Sequence, residues 1–226
     1  MKLYVLVTDV VGSSQVEDRA KLTRRMQEVA EKINTEHRSD LFADLEITRG
    51  DEMSAVFTSL SRAYEVLSAL EVALYPERFR SVLIYDDLTA GLETRRSAVI
   101  DGPGFYQAHE KMSQLKKSKK TFALVSGQSE LDEAAEVLVN LLQWRWNEMT
   151  KLQRRIVRLY QTEKNQQKVA EILGKSQQQI SHSLIATKWE LINSSEGAIR
   201  HLLELIDRRN ATSPAHIDTR TAMGQS

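Results

Sequence analysis

Residues 41–57 read LFADLEITRGDEMSAVF, two short strands around a polar corner. Apolar and polar residues alternate through 41–48, the period of a strand with one buried face. Arg49, Gly50, Asp51 and Glu52 supply a hairpin turn, and glycine takes a left-handed conformation there without a Cβ clash. Residues 53–57, MSAVF, form the returning strand. Upstream, residues 3–8, LYVLVT, are a continuous apolar run that predicts a buried strand ending at Asp9. A small-residue turn, Val10 to Ser14, leads into a helix over 17–37, with Leu22, Met26, Val29, Ala30 and Ile33 on one face. Downstream come a helix over 60–75 closed by Pro76, a strand over 80–88, a polar connector over 89–104, a helix over 105–117 and a last strand over 121–125.

The order is therefore strand, helix, hairpin, helix, strand, helix, strand. It predicts an α+β fold: a ferredoxin-like palm, a split βαβ arrangement whose sheet is covered by helices. Such a sheet sets Asp9 at a strand end beside the hairpin that carries Asp51. Two carboxylates at adjacent strand ends make a hard-oxygen site suited to Mg²⁺, which also recruits substrate phosphates. A turn former after a strand and an ordinary Gly-Asp hairpin account for the same residues without any ligand.

The second half is helical. Residues 129–147 predict a connecting helix in which Trp144 and Trp146 fall on different faces, one of them packing inside the C-terminal domain, with Trp189 a candidate neighbour. Residues 149–161, MTKLQRRIVRLYQ, are amphipathic, with Leu152, Ile156, Leu159 and Tyr160 inward and Arg154, Arg155 and Arg158 on the remaining surface. Residues 165–184, NQQKVAEILGKSQQQISHSL, follow. Val169, Ile172 and Leu173 form an apolar face, and Ala170 is small enough to let a second helix cross closely. Gly174 ends the first helix, and Ser176 caps the next. Ile180 and Leu184 face inward, whereas Gln177, Gln178, Gln179, Ser181 and His182 point elsewhere. This is a helix-turn-helix pattern, whose second helix enters the major groove of double-stranded DNA. Glutamine amides can both donate to and accept from adenine, and Arg154 and Arg155 are candidate phosphate contacts. A polar-faced helical hairpin is the plainer explanation. Asn193-Ser194-Ser195 predicts a break, followed by a helix over 196–208 whose stripe of Ile199, Leu202, Leu203 and Ile206 either joins two copies or packs on its own domain. The polar stretch 210–226 predicts a disordered tail.

Lys+Arg and Asp+Glu both number 31 in 226 residues, so the net charge is zero. A uniformly basic nucleic-acid binder is thus excluded, but charge is unevenly spread: residues 144–168 are rich in Lys and Arg, and acids concentrate in 128–136. With no cysteine, disulfides and zinc fingers are excluded. The N-terminus is too soon interrupted by Asp9 to be a signal peptide or membrane span, which points to a cytoplasmic protein without membrane partners. His37, His182, His201 and His216 are scattered and form no metal motif. The Lys run over 116–120, KKSKK, predicts a solvated surface.

TDVVGSS followed by RGDEMSAVF resembles the two metal-carboxylate motifs of class III nucleotidyl cyclases and GGDEF-type cyclases. With IDGPGFYQAHEKMSQLKK and the helix-turn-helix added in that order, the chain resembles the bacterial SatD family up to about residue 195. That family joins a cyclase-like N-terminal domain to a sigma-factor-like helix-turn-helix. The resemblance implies domains at 1–128 (cyclase-like) and 148–209 (DNA-binding), with 129–147 connecting them. It implies metal binding at Asp9 and Asp51, and nucleotide binding at Gly12, Ser13, Gly50 and Asp101. Two departures stand out. The Gly-Ile-Gly run of the fourth strand is replaced by Leu83-Ile84-Tyr85-Asp86-Asp87, and His109 and Glu110 occupy the place of the basic residue that would stabilise charge at a transferring phosphorus. The expectation is a DNA-binding regulator, a homodimer, whose degenerate cyclase-like domain takes a nucleotide or Mg²⁺ or mediates pairing, with an active nucleotidyl cyclase as the alternative.

Overall fold

The computed structural model describes residues 1–212. They divide into two compact units: Met1–Glu136 together with the chain from Leu202, and Val137–His201.

The first unit holds the sheet. Its elements are β1 (Lys2–Val10), α1 (Arg19–Glu36), β2 (Leu41–Arg49), β3 (Glu52–Phe57), α2 (Leu60–Ala73), β4 (Phe79–Asp87), α3 (Pro103–Lys116) and β5 (Phe122–Val125). Strand order is β2-β3-β1-β4-β5. β1 pairs antiparallel with β3 and β4, β2 pairs antiparallel with β3, and β5 lies parallel to β4. The first four strands and their two crossover helices are the split βαβ arrangement expected, with β5 added at one edge. β1 is central, which is why its sequence is apolar without alternation: Leu3 to Val7 are all buried. Leu3, Val5 and Val7 pack with Val82, Ile84, Phe105, Ala108, Met112 and Leu115 beneath α3. Tyr4 and Leu6 alternate to the opposite face.

Gly102 precedes α3 at φ 152°, and a Cβ there would lie 2.9 Å from the Asp87 carbonyl oxygen and the backbone of Leu88, so only glycine fits. The far end of the chain completes the unit. Asp207 accepts hydrogen bonds from the Leu60 and Ser61 amides (2.7 and 3.0 Å) and from the hydroxyls of Ser59 and Ser61, closing the N-terminus of α2. Asn210 donates to the Tyr4 hydroxyl and the Ser126 carbonyl and accepts from Gln128.

The second unit is helical. α4 (Ser129–Glu148) and α8 (Trp189–Thr212) each contribute part of their length to it. Between them lie α5 (Lys151–Glu163), α6 (Gln166–Leu173) and α7 (Gln177–Thr187), each packed on the other two. Ile156, Val157, Val169, Ala170, Ile180 and Leu184 are buried. Two inward assignments are corrected: Leu152 and Ile172 are 44% and 46% exposed, because three short helices have too little facing surface to cover every apolar position. Trp146 is buried with the Arg158 guanidinium 4.1 Å above its ring, and Trp144 is exposed. Trp189 meets the Tyr160 ring edge-on at 4.7 Å.

The break expected at Asn193-Ser194-Ser195 is absent. α8 runs through those residues, and the Ser194 hydroxyl bonds back to the carbonyls of Glu190 and Leu191. The chain turns at Lys188 instead, which is left-handed at φ 56°. Ile199, Leu203 and Ile206 are fully buried within the chain, so that stripe is not left open to join two copies. Asn210 to Thr212 belong to α8 and not to a tail; the remainder of the expected tail, with His216, lies outside the described residues. Among the described residues no helix is long and apolar enough to cross a membrane.

Candidate functional sites

Asp9 leaves β1 opposite Glu52 of β3 and Arg80 of β4. Its buried carboxylate accepts a hydrogen bond from Lys116 Nζ at 2.9 Å, and the Arg80 guanidinium lies at 3.7 Å. Two cations so placed offset the cost of burying the anion. Asp51 stands at the hairpin tip, next to Gly50 at φ 63°, and its carbonyl accepts the Val10 amide at 3.4 Å. Strand pairing thus brings the two aspartates to adjacent ends, but the oxygens of Asp9 are already taken. Mg²⁺ requires carboxylate oxygens at close to octahedral positions, and here it would have to displace Lys116. Among the described residues no three His, Asp or Glu side chains gather into a metal-holding group. As arranged, the Asp9 carboxylate is committed to cations of the protein itself rather than to a metal ion.

The four residues expected to hold a nucleotide fall in two places. Ser13 and Gly50 line a cleft of about 240 Å³ with Asp51, Arg19 and Met26, and Gly12, at φ 73°, caps the short turn Ser13–Gln15 beside it. Asp101 lies elsewhere, in a larger cleft of about 400 Å³ between the β2–β3 ladder and the first turns of α3. There Asp101 accepts from the Gly102 amide and the Tyr106 hydroxyl, both at 2.8 Å. That hydrogen bond to a carboxylate raises the Tyr106 phenol above its ordinary pKa. His109 Nδ1 is 3.7 Å from a Glu52 oxygen, and Thr48 donates to the same carboxylate at 3.3 Å. Ser54, fully buried, has no hydrogen-bond partner for its hydroxyl.

Sequence reasoning passed over Thr48, Ser54, Ser97 and Glu46. Glu46 holds one wall of the larger cleft by accepting from Arg96, Ser97 and the Ala98 amide. One signal was available: Asp44, Glu46 and Thr48 put a polar residue at every second position of a strand whose other residues are mostly apolar. In β4, Tyr85 stacks on Tyr4 at 4.6 Å, and Asp87 pairs with the terminal amine of Met1 at 3.4 Å.

In the helical unit, Gly174 closes α6 at φ 60°, and the Lys175 amide returns to the Ala170 carbonyl at 2.9 Å. Ser176 and Gln179 form a capping box at the start of α7. The glutamines predicted to face outward are therefore not equivalent. Gln179 spends its amide oxygen on the cap, and Gln177 donates to Gln166 at 2.7 Å. Gln178 and His182, four residues apart, stand exposed on one face, and Ser181 is half-buried. Of the candidate phosphate contacts Arg155 is exposed, whereas Arg154 donates to Asn147 at 3.0 Å. Arg158 is turned inward toward Glu196 and Trp146.

Comparison with solved structures returns cyclase folds at low similarity. A bacterial light-regulated adenylyl cyclase shares 11% identity at a TM-score of 0.43, covering 55% of this chain and 43% of its own. The guanylyl cyclase Cya2 shares 14% at 0.40, covering 50% of this chain and 70% of its own. A regulator of polyketide synthase expression from Bifidobacterium adolescentis shares 10% at 0.26, over 92% of this chain and 86% of its own. The chain spans less than half the length of the adenylyl cyclase. No curated protein matches it. The family model aligns over residues 4–197, from within β1 into α8, and on that match the protein belongs to the SatD family.

Proposed function

We propose that this protein is a DNA-binding transcriptional regulator whose α+β unit serves as a sensor. The observation that carries the reading is the outer face of α7. Beyond the Gly174 corner, Gln178 and His182 are exposed on a helix whose other side, Ile180 and Leu184, is buried against α5 and α6. A short helix with one face anchored and one polar face bare suits major-groove recognition, and Arg155, Lys175 and Lys188 are exposed for phosphates.

Fluorescence anisotropy on tiled genomic duplexes tests it. One or more fragments should bind well above an unrelated duplex. Replacing both Gln178 and His182 by Ala should remove about 1–3 kcal/mol of that preference for each base no longer read. Arg155→Ala should weaken all duplexes alike and lower the salt slope by about one. Equal binding to every duplex, or indifference to the double substitution, would sink the reading.

A second reading, a nucleotidyl cyclase, is favoured by one observation: Asp9 and Asp51 do end adjacent strands. It requires a cyclic product from a nucleoside triphosphate with Mg²⁺ or Mn²⁺ that disappears in Asp9→Ala. Lys116 and Arg80 on the Asp9 carboxylate weigh against it.

A further inference from the structure

The larger cleft of the α+β unit presents a buried hydroxyl without a partner and a buried carboxylate with few donors. Ser54 is 1% exposed, and its hydroxyl has no partner. Buried hydroxyls are nearly always hydrogen-bonded, so an orphan on a cleft wall marks a place where a bound group completes the set. Glu52 beside it is buried too. Its carboxylate has only the Thr48 hydroxyl at 3.3 Å and the His109 imidazole at 3.7 Å, and no lysine or arginine among the described residues pairs with it. Asp101 accepts the Gly102 amide just before α3 and sets a second carboxylate at the cleft. Arg49 is the cation lining the cleft, and it is exposed.

We infer that this cleft binds a small organic cation, an ammonium or amidinium head on a short apolar stem. The head donates to the Glu52 carboxylate and the Ser54 hydroxyl, and the stem lies against Ile100 and Phe105. A donor-only head matches acceptors that protein groups leave under-supplied, whereas a phosphate or carboxylate would face Glu52 and Asp101. A divalent metal is less suited, because among the described residues no three-ligand group is assembled. The inference does not depend on DNA binding: it concerns another surface and is read by another measurement.

Calorimetric titration of the full chain near neutral pH tests it, with n-butylammonium and benzamidinium as probes and butyrate and inorganic phosphate as controls. At least one cation should saturate the protein at one site, and neither anion should. Glu52→Gln, which keeps size and the Thr48 hydrogen bond, should weaken that binding by about tenfold or more. Ser54→Ala should weaken it about threefold to tenfold without lowering the urea midpoint, since the hydroxyl has no partner to lose. No saturation by either cation, or tighter binding of an anion, overturns the proposal. So does unchanged affinity in Ser54→Ala, which decides the matter alone if Glu52→Gln does not fold. Loss of DNA binding with cation binding intact would remove only the regulator reading, and the reverse result only this one.

Discussion

Asp132 is a buried carboxylate near the start of α4 that accepts from both the amide and the hydroxyl of Ser126. Burial raises its pKa above the ordinary carboxylate value, more than the Ser126 bonds lower it. A raised folded-state pKa means that the folded chain holds this proton longer than the unfolded chain. Its contribution to stability is thus greatest below the unfolded value and falls as pH rises toward the folded one. The Asp132 carboxyl carbon should titrate by NMR with a midpoint above the ordinary range, and urea unfolding across that window should lose part of its pH dependence in Asp132→Asn. A midpoint below the ordinary range would contradict this. Single residues were legible where chemistry is local. Asp9 and Asp51 could be placed at strand ends because an apolar run and a Gly-Asp turn fix both. Lys116 could not be assigned to Asp9, 107 positions away, and in a run of lysines it looked merely solvated. Ser54 is silent in sequence because an orphan hydroxyl is defined by what its neighbours fail to supply.

Among the elements, α7 ends in a way that invites a test. Lys188 adopts φ 56° and ψ 44°, a conformation that costs residues with a Cβ about 1 kcal/mol. Arg145 donates to the Ala186 and Thr187 carbonyls and so satisfies acceptors at that helix end without a glycine. Lys188→Gly should therefore raise stability by up to about 1 kcal/mol, read from the urea midpoint at unchanged slope. A fall would show that the lysine stem contributes more than its backbone strain. The same corner explains a misplaced boundary. Asn193-Ser194-Ser195 has the composition of a loop, yet Ser194 satisfies its hydroxyl on its own helix, whereas the true break carries no glycine or proline. Gly174 was legible for the opposite reason, since it is the residue that a left-handed cap favours. The strands were the clearest elements, because β1 is covered on both faces and its apolar run has no helical reading of comparable length.

At the scale of the molecule, the sheet unit is discontinuous in sequence. Residues 1–136 alone lack the Asp207 carboxylate that closes α2 and the Asn210 amide that serves Tyr4, whose phenol burial pushes well above its ordinary value. That fragment should unfold at lower urea than the sheet unit of the full chain, and Asn210→Ala in the full chain should cost about 1–3 kcal/mol for the acceptors it leaves unmatched. Equal stability of fragment and full chain would show that the closing turns are dispensable. The amphipathic stripe of Ile199, Leu203 and Ile206 was legible, but its destination was not: helical periodicity reveals an apolar face and says nothing of what will cover it. During synthesis the consequence is one of order. The helical insert leaves the ribosome as one continuous stretch, whereas the earlier-made sheet unit lacks Asp207 at the start of α2 and Asn210 beside Tyr4 until residue 210 has emerged. The half of the protein translated first is thus the half whose contacts are completed last.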